Sequence, residues 1–280
     1  MLVLAALVPA TSQAAIVIGS DTTLPATTTP VSCTFASPPC TFLTFAVHPG
    51  NEFPAKSPTK GVVTSFALKS GAQPSAGEMV RFRLGRFEPG TSLAATGAGV
   101  GPTVTLSPTL INVASANLPI EVGDAVGIDV LSTTSAIAAQ GTCGVGMGAF
   151  ISYAPPLTDG GGFQPPIGNS TCELLVQATI QPSSVFGFNP KQVYTVKKKG
   201  KIILPIELPG PGDIKVSGKG ATGVRTVPGA GKVKLPIKLT GRTIRRLDAN
   251  GKATVKVKVT FTPIGGDAGT ETRKLKLKAG

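Results

Sequence analysis

The sequence has little of the chemistry on which most enzymes depend. It contains no tryptophan, two tyrosines and a single histidine, His48, and its 14 acidic residues stand against 27 basic ones. The chain holds no G-x-S-x-G motif for His48 to serve, which argues against a serine hydrolase. Sugar-binding surfaces usually expose aromatic rings, but most of the 12 phenylalanines occupy positions expected to face inward. We therefore expect a protein with no enzymatic activity and no cofactor.

Long apolar runs are missing as well. The N-terminal run from Leu2 to Val8 is too short to span a bilayer, and no other segment qualifies. Small residues and an Ala-rich exit follow it, which is the pattern of a signal peptide cleaved after Ala14 or Ala15. A basic n-region is lacking, so the natural start is expected upstream; a buried N-terminal strand is the alternative. Residues 1–15 are predicted to be a signal peptide, and the protein to be secreted or associated with the cell surface.

The four cysteines agree with export, because an even number in an exported protein favours disulfides. Cys33 and Cys40 lie close together in CTFASPPC, and Cys143 and Cys172 flank a Gly- and Pro-rich stretch. Four cysteines allow three pairings, and proximity favours 33–40 and 143–172. A zinc site is the alternative, but C-x-x-C spacing is absent and only His48 could assist. No metal site is predicted.

Glycine and proline, by contrast, are abundant at 35 and 25 residues, and they separate many short apolar runs. Such punctuation is typical of β-strands joined by turns. In MVRFRLGRF, Val80, Phe82 and Leu84 alternate with Arg81 and Arg83, which is the period of a strand. Similar segments lie at 41–47, 61–70, 102–108, 118–124, 124–132, 148–154 and 173–181. The pattern predicts an all-β protein that begins with a jelly-roll-like β-sandwich.

Charge divides the chain into two parts. Residues 1–182 carry 6 basic and 9 acidic residues, whereas residues 183–280 carry 21 basic and 5 acidic ones. Such asymmetry indicates two domains with different surfaces. Composition changes within 180–190, so we predict a β-sandwich domain with two disulfides at 16–182 and a basic immunoglobulin-like domain at 183–280.

The second domain shows seven strand-like segments and one helical turn. The helix is predicted over 241–251, with Ile244 and Leu247 facing inward and Gly251 ending it. Immunoglobulin-like sandwiches often carry such a turn between their fifth and sixth strands, which favours a seven-stranded immunoglobulin-like β-sandwich. The strand segments lie near 185–197, 202–208, 214–216, 222–228, 233–239, 253–261 and 275–277.

Two motifs in this domain are familiar. PGPGDIKVSGKG at 209–220 and VTFTPIGG at 259–266 resemble the recurring marks of a Lys-rich immunoglobulin-like module that ends many exported proteins of soil actinobacteria. The resemblance covers 184–280. Weaker marks, such as GDAVGIDV at 123–130, resemble the β-sandwich domains paired with that module. The family is largely uncharacterised, so the resemblance implies a fold and an extracellular address and supplies no catalytic residues.

Carboxylates of the first domain leave an enzyme as an alternative. Asp124, Asp129, Asp159 and Glu173 could supply the acid pair of a glycosidase or the ligands of a calcium ion. No spacing singles out a pair, and no Asp-rich loop is present. The Gly-rich run at 97–101 lacks the following helix of a phosphate-binding loop and is interpreted as a turn or strand edge.

A candidate ligand loop lies near the predicted 143–172 disulfide. Tyr153 and Phe163 are the aromatic residues of this segment that are not assigned to inward positions, and Asp159 lies between them. An exposed ring beside a carboxylate is a combination that could hold a glycan.

The strongest functional signal is the alternation of lysine with apolar residues in two strands of the basic domain. In an immunoglobulin-like fold these strands are neighbours, and the strand DIKVSGKG at 213–220 borders the first of them. Eight ammonium groups would then share one outer face: Lys215, Lys219, Lys252, Lys256, Lys258, Lys274, Lys276 and Lys278.

This face has two interpretations. Exposed lysines keep a sheet solvated and prevent edge-to-edge pairing, and they also attract polyanions such as acidic wall polymers. Nucleic acid is not an expected partner, because no aromatic platform interleaves the lysines. We predict a non-enzymatic extracellular or cell-surface protein, binding or structural, whose basic module associates with anionic cell-wall polymers or glycans. A glycan-binding or glycan-cleaving enzyme in the first domain, or a spacer without ligand, is the alternative.

Overall fold

The computed structural model of this chain describes residues 15–26, 33, 39–47, 51–71, 77–90, 93–107, 111–132, 137–141, 149–188, 192–197 and 200–280. Over these ranges nearly every regular element is a β-strand, which confirms the predicted all-β class. A single helix of ten residues is present among them, and it is neither long nor apolar enough to cross a bilayer. His48 and the predicted signal peptide up to residue 14 lie outside the described residues.

The N-terminal part builds two main sheets from strands that alternate between them. The first has the order β1-β12-β3-β6, the second has the order β10-β9-β2-β7-β4-β5, and β11 and β8 form a small third sheet. The strands are β1 (Ile16–Gly19), β2 (Cys40–Thr44), β3 (Gly61–Lys69), β4 (Met79–Phe87), β5 (Ala95–Thr105), β6 (Ile111–Ile120), β7 (Asp124–Val130), β8 (Ala139–Gln140), β9 (Phe150–Tyr153), β10 (Gly168–Ser170), β11 (Glu173–Leu174) and β12 (Val176–Pro182).

The pairing of these strands is that of a rolled-up antiparallel ribbon. Strand β4 pairs with β5, β3 with β6, β2 with β7 and β1 with β12. In the sequence, the strands of each pair therefore flank those of the pair named before it. Rolling such a ribbon places its members alternately in two facing sheets, which is the jelly-roll arrangement. The predicted jelly-roll-like sandwich is therefore confirmed.

The inward residues of both sheets form the main core. Val80, Phe82 and Leu84 of β4 are fully buried, as their alternation predicts, and the ring of Phe82 stacks on Phe66 of β3. A second, smaller cluster lies on the other side of β4, where the segment that follows β9 folds over the sheet with Leu157. Polar residues of that face are therefore covered rather than exposed.

Strand β1 was not expected as a separate element. It pairs with β12 from Ile16 to Gly19, and Ile18 is fully buried. Its four residues follow the apolar leader without a turn signal, so in the sequence they merge with the predicted signal peptide.

One predicted disulfide is confirmed. Cys33 and Cys40 are bonded, with their Cα atoms 6.1 Å apart. Cys172 is buried and also disulfide-bonded. Its predicted partner, Cys143, lies outside the described residues, so the 143–172 pairing stays a prediction.

The basic C-terminal part forms one seven-stranded sheet that nearly closes on itself. Its order is β13-β19-β18-β15-β16-β17-β14. The elements are β13 (Val193–Val196), β14 (Lys201–Leu208), β15 (Gly212–Gly218), β16 (Ala221–Val227), β17 (Gly231–Leu239), α1 (Gly241–Asn250), β18 (Lys252–Pro263) and β19 (Gly269–Ala279).

The pairings within this sheet are those of an immunoglobulin-like sandwich. The third, sixth and seventh strands, β15, β18 and β19, are neighbours, and the second, β14, pairs with the fifth, β17. Two residue pairs between β16 and β17 join the two halves into one hydrogen-bonded sheet. The predicted seven strands and their immunoglobulin-like arrangement are confirmed.

Helix α1 lies between the fifth and sixth strands, as predicted. Leu247 is buried in the core and Ile244 packs against it. Gly251 ends the helix in the left-handed conformation, with φ 64°, and its N–H donates to the Leu247 carbonyl. Glycine is favoured at such a position because it has no Cβ to oppose a positive φ.

Backbone hydrogen bonds connect the two parts at one junction. The Lys60 N–H donates to the Pro209 carbonyl at 2.9 Å, and the Ser183 N–H donates to the Lys60 carbonyl at 2.8 Å. Thr59 is fully buried there, and its hydroxyl lies where a Cβ on Gly210 would stand. Residues 59–60 therefore bond to both the linking segment and the loop that follows β14 in the basic part.

Candidate functional site

The candidate site begins with the alternation along β18. Val257, Val259 and Phe261 are fully buried in the core of the basic sheet. Successive side chains of a strand point to opposite faces, so Lys256 and Lys258 are exposed on the outer surface. The burial pattern of β18 is the one that its sequence predicts.

The register of the neighbouring strands brings further lysines to the same face. Lys252 stands directly opposite Lys278, and Lys256 stands directly opposite Lys274. Lys258 faces Ser217 of β15 in the other direction. The structure thus places all eight predicted lysines on or beside one outer surface, which we call the lysine face: Lys215, Lys219, Lys252, Lys256, Lys258, Lys274, Lys276 and Lys278.

The lysine face is electrostatically uncompensated. None of its eight ammonium groups forms an ion pair within the described part of the chain. The carboxylate of Asp213, two residues from Lys215 on the exposed side of β15, accepts a hydrogen bond from Thr226 and forms no ion pair with a described residue. Like charges directly opposite each other in a sheet are unfavourable by about 0.2–1 kcal/mol per pair, and this surface contains two such pairs.

Helix α1 turns one end of this surface into a concave site. A cavity of about 490 Å³ lies between the first turns of the helix and the strands β15 and β18, and we call it the helix cleft. Thr243 of the helix is buried against Gly220, which follows β15. Five cationic side chains line the helix cleft: Lys219, Arg242, Arg246, Lys256 and Lys258.

A second cavity continues along β18 towards the first residues of that strand. It has a volume of about 520 Å³, and we call it the edge cleft. Arg246 and Thr254 line both clefts, so the two are contiguous. Lys252, Lys276 and Lys278 contribute the other cations of the edge cleft.

The sequence analysis did not predict two candidate functional residues, Arg242 and Arg246. They are four residues apart and therefore lie on one side of α1, whereas Ile244 and Leu247 point into the core. The i, i+4 spacing in GRTIRRLDANG was the available signal. Its meaning depends on the tertiary structure, because only packing shows that this side of the helix borders the lysines.

The basic module carries lysines on the opposite side as well. Lys201 of β14 stands opposite Lys238 of β17, and Lys234 stands opposite Pro205. In that ribbon Glu207 is placed opposite Lys232. This second surface provides a comparison, because it has the same residue types but its lysines line neither cleft.

The predicted ligand loop is corrected in one respect. Tyr153 is fully buried, and its hydroxyl donates a 2.6 Å hydrogen bond to the Leu93 carbonyl. Burial raises the pKa of Tyr153 above its usual value. Phe163 is 42% exposed, whereas Asp159 is bound to Arg83. Tyr153 cannot stack on a ligand because the chain that follows β9 covers it.

Three of the four carboxylates considered for catalysis are held by arginines, and the fourth, Glu173, accepts a hydrogen bond from Asn51. Asp129 is fully buried and accepts hydrogen bonds from Arg81, Arg83 and the Thr41 hydroxyl. Arg83, itself 3% exposed, joins Asp129 to Asp159. Removing one partner of a buried ion pair typically costs about 3–5 kcal/mol, so this network has a structural role.

Asp124 is anchored in the same way. It is 1% exposed and accepts from both Arg86 and the Glu121 N–H. The hydrogen bond to Asp124 raises the pKa of Arg86. Among the residues that the structure describes, no group of three His, Cys, Asp or Glu side chains is placed to hold a metal ion.

Comparison with known proteins does not identify a relative of this chain. No protein-family model matches the chain, and no curated protein and no solved structure matches it either. The resemblance of residues 184–280 to an exported Lys-rich module therefore stays a prediction.

Proposed function

We propose that this protein is a non-enzymatic, extracellular or cell-surface binding protein whose basic module associates with anionic polymers of the cell envelope. The observation that carries the proposal is the lysine face, on which eight lysines of neighbouring strands gather without an ion pair among the described residues. A polyanion would compensate these charges, with which no carboxylate among the described residues forms an ion pair.

The arrangement of the charges supports binding over solvation alone. Lysines scattered among acidic residues would keep a sheet soluble at no electrostatic cost. Here Lys252 and Lys256 stand directly opposite Lys278 and Lys274, and two contiguous clefts interrupt the surface. Concave sites lined by charge of one sign raise the local concentration of the opposite charge.

An extracellular address agrees with the disulfide between Cys33 and Cys40. Disulfides persist in oxidising environments and are rare in the cytosol. The predicted signal peptide and the resemblance to exported modules support the same address. The anionic polymers of a cell wall are the polyanions that an exported basic module meets first.

Sedimentation with isolated cell walls tests the proposal. The full chain is expected to sediment with walls at low salt and to be released at about 0.5 M salt, where screening confines charge interactions to a few ångströms. Substituting Lys252, Lys256, Lys274 and Lys278 by Gln removes both directly opposed pairs. We expect this fourfold variant to bind roughly 1000-fold more weakly, since four exposed charge contacts of about 1 kcal/mol each sum to about 4 kcal/mol and every 1.4 kcal/mol is a factor of about ten.

The matched control removes four lysines from the opposite ribbon. Substituting Lys201, Lys232, Lys234 and Lys238 by Gln changes the net charge by the same amount and is expected to alter binding by no more than about threefold. Equal losses in both variants would show that net charge, and not this face, governs association. A native chain that stays in the supernatant at low salt contradicts the proposal and favours a spacer.

A further inference from the structure

We propose that the helix cleft binds the phosphodiester groups of a linear polyol-phosphate polymer, and that the edge cleft receives a later group of the same polymer chain. This rests on the proposed function of the lysine face and narrows it to a site and a ligand class. The observation that carries it is the set of five cations around one cavity, two of them arginines on a single helix side.

The donors of the helix cleft come from different directions. Arg242 and Arg246 belong to the helix wall, Lys256 and Lys258 to the strand floor, and Lys219 to the turn after β15. A carboxylate offers its lone pairs in one plane, whereas the two free oxygens of a phosphodiester carry lone pairs that point to several sides of a tetrahedral phosphorus. Guanidinium groups bind phosphate through two parallel hydrogen bonds. A phosphate ester therefore uses this set of donors more fully than a carboxylate does.

Hydroxyl groups complete the lining. Ser217, Thr254 and Thr272 border the helix cleft, together with Thr243 from the helix. Each can donate to a phosphate oxygen or accept from a polyol hydroxyl. Among the described residues that line this cavity there is no carboxylate and no aromatic side chain.

The absence of an aromatic platform from the lining favours a polyol backbone over a nucleic acid. Proteins that bind single strands stack successive bases on aromatic rings, with about 1–3 kcal/mol per base. The described residues that line the helix cleft provide cations and hydroxyls but no ring on which a base could stack. A polymer with small hydroxylated units between its phosphates requires no such platform.

The two clefts together fit a linear ligand. They share Arg246 and Thr254, and they follow β18 from Lys256 to Lys252. Four residues of a strand span about 13 Å. Three bonds of an extended backbone span about 3.5 Å, so a polymer with six bonds between phosphates carries one charge every ~7 Å. Every second phosphate of such a chain can therefore reach successive clefts.

The test measures binding of the full chain to a glycerol-phosphate oligomer of about ten repeats at low salt. Arg242→Gln with Arg246→Gln is expected to weaken binding roughly 10–100-fold, as the loss of charge-assisted hydrogen bonds predicts. Both side chains are exposed, so the variant should fold normally, which circular dichroism and the unfolding temperature check. Polyglutamate of equal charge should bind the native chain at least about tenfold more weakly than the phosphate oligomer.

The matched control is Lys232→Gln with Lys234→Gln, which removes two charges from the opposite ribbon. It is expected to change affinity less than threefold. Equal losses in the two double variants overturn the assignment of the cleft, and so does polyglutamate that binds as tightly as the phosphate oligomer. Tighter binding of single-stranded oligodeoxythymidine would assign the site to nucleic acid and overturn the inference. If the native chain binds none of these polymers, the proposed function fails as well.

Discussion

At the residue scale, the charged side chains of this protein lie in two opposite environments, buried and paired or exposed and unpaired. Asp129 is fully buried and is bound by Arg81 and Arg83, whereas Lys256 and Lys274 face each other in solvent. A buried charge is stable only when it is paired, because desolvation penalises the isolated ion. An exposed charge needs no partner, since water and salt screen it. Unpaired exposed lysines are therefore available to a ligand.

Tyr153 was predicted to be exposed, but it is buried, and burial changes the pKa of its hydroxyl group. Its hydroxyl donates to Leu93, and burial raises its pKa. In the unfolded chain a tyrosine titrates near 10. The contribution of the neutral phenol to stability is therefore complete below about pH 10 and is lost as pH rises towards the folded-state pKa.

The substitution Tyr153→Phe tests this assignment. At pH 7 the variant should lose about 1 kcal/mol of unfolding free energy, because it lacks one buried hydrogen bond. Above pH 10 the native chain should lose stability more steeply than the variant, so the difference narrows. Urea unfolding at pH 7 and pH 11 measures both effects. Parallel losses in the two proteins would show that Tyr153 is ionised as easily in the folded chain as in the unfolded one.

At the scale of elements, the strand period predicted most of the architecture. Lysine and valine alternate along β18, and the structure exposes the first and buries the second. The motifs at 118–123, 204–210 and 235–241 each place a proline between two apolar residues, which predicts edge strands or bulges. Pro119 and Pro205 lie in β6 and β14, each at the end of its sheet order, whereas Pro236 lies in β17, between β16 and β14.

In strand β5 the alternation of apolar and polar residues does not predict which side chains face the core. It begins at Ala95 and includes the Gly-rich run at 97–101, which has too few side chains to alternate. A Cβ on Gly99 or Gly101 would stand within about 3 Å of Leu118 or Phe66. Glycine in this strand allows the two sheets to approach closely, and that approach is a tertiary property.

Gly220 has a comparable role between β15 and helix α1. A Cβ at this position would stand 2.1 Å from the Thr243 hydroxyl oxygen and 3.0 Å from a Val255 methyl group. Gly220→Ala should therefore displace the first turn of α1 and cost about 1–3 kcal/mol of unfolding free energy. Because this turn forms a wall of the helix cleft, affinity for the phosphate oligomer should fall as well.

Thermal and urea unfolding of two further variants test the cause. Gly229→Ala adds the same methyl group where nothing lies within 4 Å, and it should change stability by less than about 0.5 kcal/mol. Thr243→Ala removes the atom that Gly220→Ala approaches, so the double variant should recover part of the loss. Additive losses in the double variant would contradict a direct contact.

At the scale of the whole molecule, residues 59–60 connect the sandwich to the basic sheet. Lys60 bonds through its backbone to Pro209 and Ser183, and its ammonium group forms an ion pair with Glu121 at 2.9 Å. The ion pair raises the pKa of Lys60. The backbone bonds carry more weight than this ion pair, because exposed ion pairs contribute little to stability.

Gly210→Ala is expected to disturb this junction. Its Cβ would stand 2.1 Å from the Thr59 hydroxyl oxygen and 2.6 Å from the Thr59 Cβ, and Thr59 is fully buried. We expect a loss of about 1–3 kcal/mol in unfolding free energy and faster proteolysis within 183–187. Calorimetry and limited proteolysis measure the two effects.

Gly187→Ala is the matched control, since a Cβ there has nothing within 4 Å. It should leave stability within about 0.5 kcal/mol of the native value and should not change the cleavage pattern. If Gly210→Ala behaves like this control, the contact between Thr59 and Gly210 does not hold the two parts together.

The sequence by itself determined the strand-rich class, the seven strands and helix of the basic part, and the lysines of one face. These follow from local period and turn chemistry, which depend on neighbours along the chain. Only the tertiary structure decided that Tyr153 is covered, that Asp129 is bound by arginines, and that Arg242 and Arg246 join the lysines around a cleft. Burial, ion pairing and concavity arise between elements distant in sequence, so no local pattern specifies them.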